Sequence, residues 1–312
     1  MQAMKWLVLA ALVAIPLGLE PRMPVPEGNP ITSEKVDLGR RLFGDRRLSR
    51  DGTIACTSCH DPQRAFSAPD AVSPGVDGRR GRRNAPALVN LAWSRGLFWD
   101  ARVASLEEQV LKPIEDQNEM DLPLADASAR VGVPPAMLAQ ALATYVRTLL
   151  SGDSAYDRYV NGDRSALSPD EQLGLRVFQG RGNCTFCHVG SNFTDDRVHN
   201  TGIAWVPADD LRGVPGRFLD EGRGAISGLA SERGAFKTPT LREVARTGPY
   251  MHDGSLASLE EVVDYYNRGG RPNPALDPDV HPLDLTDDAK RGLVAFLRAL
   301  SGRSMPASSE TR

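Results

Sequence analysis

Cys56-Thr57-Ser58-Cys59-His60 and Cys184-Thr185-Phe186-Cys187-His188 are two copies of one chemical device. Two thiols three positions apart, with an imidazole directly after the second, form the attachment signal for a c-type haem. The thiols add to the porphyrin vinyl groups, and the imidazole swings under the ring as the proximal iron ligand. A zinc site would draw four ligands from two close pairs, and a plain Cys-x-x-Cys needs no histidine at the next position. The two copies use all 4 cysteines of the chain, so none is left for a disulfide. Two covalently bound haems c are expected, one through Cys56, Cys59 and His60, the other through Cys184, Cys187 and His188. A haem held on both faces moves electrons, whereas one with an open face binds small ligands such as peroxide. Beyond the two proximal histidines, only His199, His252 and His281 remain, and none lies between His60 and Asn84.

The haem motifs sit in a longer repeat. Leu38-Gly39-Arg40-Arg41-Leu42-Phe43 precedes the first, and Leu173-Gly174-Leu175-Arg176-Val177-Phe178 precedes the second. Thr32-Ser33-Glu34 starts a helix running to about Phe43, and Ser168-Pro169-Asp170-Glu171 is a capping box with proline at the first helical position. Helix, loop and haem therefore recur, which predicts a mainly α chain of two cytochrome-c-like haem domains with long irregular loops. The N-terminal domain is expected over 32–164 and the C-terminal one over 165–302, with a tail over 303–312. Further helices are predicted from Ser105, over Pro134 to Leu150 with Leu138, Leu142, Val146 and Leu149 on one face, from Ser258 through Tyr266, and from Thr286 to near Leu300. Residues 202–236 are glycine-rich without periodicity and are expected to form a long loop; no strand run stands out. The run Arg79-Arg80-Gly81-Arg82-Arg83 reads first as a solvated loop, with a docking surface as the rival.

The chain has 312 residues and a formal net charge of −3, a mild balance that argues against nucleic acid or a charged membrane surface as partner. Residues 1–19 read as an export signal, with Lys5 before an apolar run from Trp6 to Leu19 too short to span a bilayer comfortably. No clean cleavage site follows, and an uncleaved segment would anchor the protein to the membrane. Residues 20–31 are proline-rich and read as a linker or arm. Export to the bacterial periplasm suits the haem motifs, because c-type attachment takes place outside the cytoplasm.

Three runs, FWDARVASLEEQVLKPIEDQNEM over 98–120, FKTPTLREV over 236–244 and GPYMHDGSLASLEEVVDYYNRGG over 248–270, resemble the bacterial di-haem cytochrome c peroxidases, and among them the MauG/MbnH branch. The resemblance spans about residues 30–300. It implies that His60 serves a high-spin haem where hydrogen peroxide binds, and that His188 serves a low-spin haem. Other members carry a histidine in the loop after the first motif; its lack here implies an open first iron. Gln109, Pro113 and Glu119 match the distal-pocket pattern. Glu119 would move the proton across the peroxide and Gln109 would orient it. Tyr266 stands where the peroxidases place a methionine ligand to the second iron, with Met251 and Tyr265 as rival ligands. A tyrosinate is anionic and hard and favours the oxidised metal, whereas methionine raises the potential. Trp99 matches the tryptophan between the two haems. Asn84, Thr247 and Pro249 match an interhaem calcium site, whose oxygen ligands suit a hard cation. MauG carries a surface tryptophan two residues before its second haem motif, where this chain has Gly182. The implied activity is oxidation of an external donor, a residue of a partner protein, at the expense of peroxide. The alternative is a cytochrome c peroxidase that draws electrons from a small cytochrome c or cupredoxin. A third class, a plain electron-transfer cytochrome, has no use for Gln109 and Glu119.

Overall fold

A computed structural model describes residues 13–211 and 215–302. Most of the expected export signal, and the expected tail over 303–312, lie outside the described residues. In chain order the helices are α1 (Ser33–Phe43), α2 (Cys56–Cys59), α3 (Leu106–Gln109), α4 (Lys112–Glu115), α5 (Leu124–Val131), α6 (Pro135–Arg147), α7 (Ala155–Val160), α8 (Pro169–Gln179), α9 (Gly224–Ser227), α10 (Leu259–Asn267) and α11 (Asp287–Arg298). The chain is mainly α. Four two-residue strands, β1 (Val198–His199), β2 (Trp205–Val206), β3 (Arg217–Phe218) and β4 (Phe236–Lys237), lie in and beside the expected loop. β1 pairs antiparallel with β4, and β2 with β3. Strands this short carry no alternation, so no period could have announced them.

The expected caps are in place. The Thr32 hydroxyl accepts the Lys35 amide at 3.3 Å, and Ser168 and Glu171 cap each other at the start of α8. The helices that no sequence signal announced, α5, α7 and α9, are 8, 6 and 4 residues long, too short for a clear amphipathic period.

The Leu-Gly-x-Arg-x-Phe repeat has a packing cause. α1 crosses α6, and α8 crosses α11. At each crossing the glycine lies against the partner helix backbone: a Cβ at Gly39 would overlap the Ala141 carbonyl, and one at Gly174 the Gly292 carbonyl. The crossings bring Phe43 and Phe178 into two separate apolar clusters, one drawn from residues 42–149 and the other from 177–300. The predicted face of α6 is fully used: Leu138, Leu142 and Val146, with Leu149 just beyond, belong to the first cluster.

Polar ties join the two halves. Arg83 donates to Asp100 at 2.6 Å and to Asp220 at 2.7 Å, the Lys237 amide donates to the Trp99 carbonyl at 2.6 Å, and the Asn84 amide to the His252 carbonyl at 2.7 Å. Arg242 and Asp157, each 1% exposed, pair at 2.6 Å. The proline-rich arm, together with the last residues of the expected export signal, is part of this body. Leu17 accepts from the Asp153 amide at 2.8 Å, Gly18 from Arg242 at 3.0 Å and Arg22 from the Trp93 indole at 3.1 Å.

Gly174→Ala gains about 1 kcal/mol of helix propensity but forces a methyl into the Gly292 carbonyl, and overpacking costs about 1–3 kcal/mol. A lower thermal midpoint is expected, while Gly28→Ala, with nothing within 4 Å of the new methyl, leaves it unchanged. Calorimetry of the haem-loaded variants checks this.

Candidate active site

One cavity of about 1280 Å³ is lined by both haem motifs. Ordinary small-molecule sites occupy roughly 300–1,000 Å³. None of the 4 cysteines is in a disulfide.

The two motifs are built alike. Cys56 to Cys59 form a single turn, and the His60 amide donates to the Cys56 carbonyl at 2.9 Å; His188 does the same to Cys184 at 2.9 Å. His60 Nδ1 meets the Phe66 carbonyl at 2.7 Å, and His188 Nδ1 meets the Phe193 carbonyl at 2.8 Å. A carbonyl only accepts, so Nδ1 carries the proton and Nε2 keeps its lone pair for a metal. Burial pushes both imidazoles below their ordinary range, which favours the neutral, ligating form. Phe66 and Phe193 have φ of 58° and 52°, a left-handed backbone that costs a non-glycine residue about 1–3 kcal/mol. Their rings are held edge-on, Phe66 by Phe43 at 5.9 Å and Phe193 by Phe178 at 6.1 Å. Sequence reasoning missed these two residues. The available signal was a phenylalanine six residues after His60 and five after His188.

Gln109, Pro113 and Glu119 line the cavity together with Cys59 and His60. Gln109 closes α3 and Pro113 lies in the first turn of α4. Glu119 follows α4, where its carbonyl accepts the Val76 amide at 2.8 Å. A Cβ at Gly75 would overlap the Asn118 and Glu119 carbonyls, so glycine is needed for this close approach. Burial pushes the Glu119 carboxyl up to about 7; Asp116 adds to the shift and Arg102 opposes it. Arg102, which no motif signalled, lines the same cavity and pairs with Asp100 at 2.9 Å.

α10 presents Leu259, Val262, Val263 and Tyr266 to the cavity, the i, i+3, i+4, i+7 face of a helix. Tyr265 lies off that face and donates its hydroxyl to the Thr201 carbonyl at 2.7 Å. Burial pushes the Tyr266 phenol well above its usual range, so an anionic Tyr266 requires a cation at its oxygen. Met251 also lines the cavity, on a left-handed backbone with φ of 74°.

Trp99 lines the cavity and donates its indole N–H to the Asn84 carbonyl at 2.8 Å. Asn84, Thr247 and Pro249 line it as well. The Asn84 amide nitrogen donates to the Asp70 carbonyl at 3.0 Å, which leaves the amide oxygen as the atom for a hard cation.

The remaining three histidines line the same cavity. His199 contacts Asp277 at 2.6 Å through Nδ1 and Asp195 at 2.9 Å through Nε2, so both ring nitrogens donate. The Cys187 sulfur and these two carboxylates hold His199 up to about 10. A thioether sulfur accepts weakly, so in the haem-attached protein the sulfur's share falls away and the two carboxylates alone raise the imidazole. His252 stacks on Phe236 with ring centroids 3.6 Å apart. His281 is exposed, with Nδ1 3.0 Å from the Pro282 carbonyl. The middle of the arginine run, Arg80, Gly81 and Arg82, is exposed as a solvated loop would be, while at its ends Arg79 pairs with Asp121 at 2.6 Å and Arg83 spans the seam between the halves.

The family model for the di-haem cytochrome c peroxidases matches residues 33–138. The methylamine utilization protein MauG of Methylorubrum extorquens is 38% identical over 296 residues, which cover 89% of this chain and 81% of that protein. The chain belongs to the di-haem cytochrome c peroxidase family. It is thus an oxidoreductase acting on peroxide, and the family's two haems c fit the two histidine–cysteine sets just described. The cytochrome c551 peroxidase of Pseudomonas aeruginosa is 31% identical over 320 residues, 92% of this chain and 88% of that one. Among solved structures, a MauG-like protein associated with microbial copper homeostasis superposes with a TM-score of 0.82 at 32% identity, covering 93% of this chain and 95% of that chain. Among the described residues, no helix is long and apolar enough to cross a membrane.

Proposed function

We propose that this member of the family is an exported, periplasmic enzyme that reacts with hydrogen peroxide at its first haem and oxidises a residue of a partner protein, in the manner of MauG. Its two cytochrome-c-like domains would span 32–164 and 165–302, and Asn84, Thr247 and Pro249 would hold a Ca²⁺ between the haems. The observation that carries the reading is Tyr266 on the cavity face of α10 beside the second haem motif. The likeness to MauG and to the MauG-like structure supports it.

Bound haem supplies the iron that accepts peroxide and takes up its two oxidising equivalents. The chain's own residues supply position and protons. His60 and His188 present Nε2 to the cavity because Nδ1 is engaged by a backbone carbonyl. Gln109 orients the peroxide. Glu119, with its midpoint near neutrality, takes the proton from one peroxide oxygen and delivers it to the other. With haem bound, a phenolate at Tyr266 would offset positive charge at the second metal and lower its potential, and Trp99 on the cavity wall would let the two sites share oxidising equivalents.

Two outcomes test this. The reaction with peroxide requires ionised Glu119, whose buried carboxyl titrates at about 7. The stopped-flow rate should therefore rise about tenfold per pH unit below that midpoint and level off above it, and Glu119→Gln should lower it about a hundred- to ten-thousand-fold. A pH-independent rate that Glu119→Gln leaves unchanged removes Glu119 from the role. Tyr266→Met should raise the potential of the low-spin haem and abolish the peroxide-induced spectral change at that haem, while Tyr265→Phe does little. If a redox titration finds the potential unchanged in Tyr266→Met, Met251 becomes the leading ligand, and the enzyme is a cytochrome c peroxidase fed by a small redox protein.

A further inference from the structure

We propose that Trp205 is a redox relay that carries oxidising equivalents from Trp99 to a notch on the protein surface. The inference rests on the peroxide-driven oxidation proposed above and supplies its exit point. Trp99 and Trp205 pack against one small apolar cluster, Ala204, Phe218 and Phe236, which is separate from the two main cores. Trp99 is on the inner side of that cluster, where it lines the haem cavity. Trp205 is on the outer side. It does not line the haem cavity but borders a surface depression of about 410 Å³, with Phe218, Arg217, Arg233, Pro274 and Ala275 among its other walls.

The indole is held in place. β2 sets Trp205 opposite Phe218 on β3, and the two rings meet edge-on at 4.9 Å. A Cβ at Gly216 would overlap the six-membered ring of the indole, so glycine lets the backbone lie against it there. Arg271 donates to the Trp205 carbonyl at 2.6 Å, and Leu219 ties back to the Ala204 carbonyl at 2.8 Å. An indole loses an electron far more readily than a phenyl ring. Phe218 and Phe236 are therefore packing through which an electron passes, and the two tryptophans are the stations. Trp93 serves as a contrast: its indole N–H is tied to the Arg22 carbonyl, and it is not part of the cluster.

In the relay step Trp205 gives one electron toward Trp99, and its indole proton leaves to water at the mouth of the notch. An oxidisable aromatic side chain of the partner, tyrosine or tryptophan, presented at the notch returns one electron and one proton. Two such steps match the two electrons and two protons that turn one hydrogen peroxide into two waters.

The test treats the haem-loaded full chain with hydrogen peroxide without a donor and maps its peptides by mass spectrometry. With nothing to refill it, a twice-oxidised indole takes its oxygen from water, so one added oxygen is expected at Trp205 and none at Trp93. Trp99→Phe should abolish the modification at Trp205, and Trp205→Phe should prolong the peroxide-induced haem spectrum by removing its exit. Equal modification of Trp93 and Trp205, or modification at Trp205 that survives Trp99→Phe, overturns the relay. If peroxide changes the haem spectrum while Trp205 stays unmodified, the relay is wrong and the proposed function stands. If peroxide leaves the haem spectrum unchanged, both fall.

Discussion

The two hydrogen bonds from histidine Nδ1 to a backbone carbonyl, His60 to Phe66 and His188 to Phe193, are the constraint on which the rest of the structure depends. Each fixes a tautomer and a ring orientation, so that Nε2 faces the cavity. Each also requires its carbonyl to sit on a left-handed phenylalanine, which is held by packing. Phe43 and Phe178 supply that packing from the ends of α1 and α8. Those helices reach their places only because Gly39 and Gly174 let them cross a partner helix at backbone contact. A short sequence repeat thus runs through helix crossing and aromatic packing to the protonation of one ring nitrogen.

The seam between the halves is polar, unlike the two cores. Arg83 bridges Asp100 and Asp220, and Arg242 meets Asp157 with both side chains buried. A buried ion pair adds little net stability, but removing one partner costs about 3–5 kcal/mol, so such pairs fix one geometry more than they strengthen it. What they fix is the placement of Trp99, tied through its carbonyl to Lys237 and through its indole to Asn84, on the wall of a cavity lined by both haem motifs.

Much of this was legible in the sequence, because the chemistry is local. The cysteine–histidine motifs, the caps of α1, α8 and α10, and the buried face of α6 follow from spacing alone. Resemblance added Gln109, Pro113, Glu119 and Tyr266, and the structure gathers all four on the cavity wall. What spacing could not give was set by partners distant in the chain. His199 finds Asp277, Trp205 finds Phe218 across two-residue strands, and Leu17 and Gly18, at the end of the expected export signal, find Asp153 and Arg242. Resemblance marked the position within α10 but not the reason Tyr266 rather than Tyr265 faces inward, which is that only Tyr266 continues the face begun by Leu259, Val262 and Val263.

The central claim is that the first haem keeps one face open to peroxide while the second is held on both. Glu119 and Gln109 line the cavity with His60, and of the other three histidines, which line it too, His199 has both ring nitrogens bonded to carboxylates, His252 stacks on Phe236 and His281 is exposed. Electron paramagnetic resonance of the ferric protein as isolated tests this most directly. The account predicts one high-spin and one low-spin haem signal without any prior reduction. Two low-spin signals, with a high-spin form emerging only after partial reduction, would contradict it.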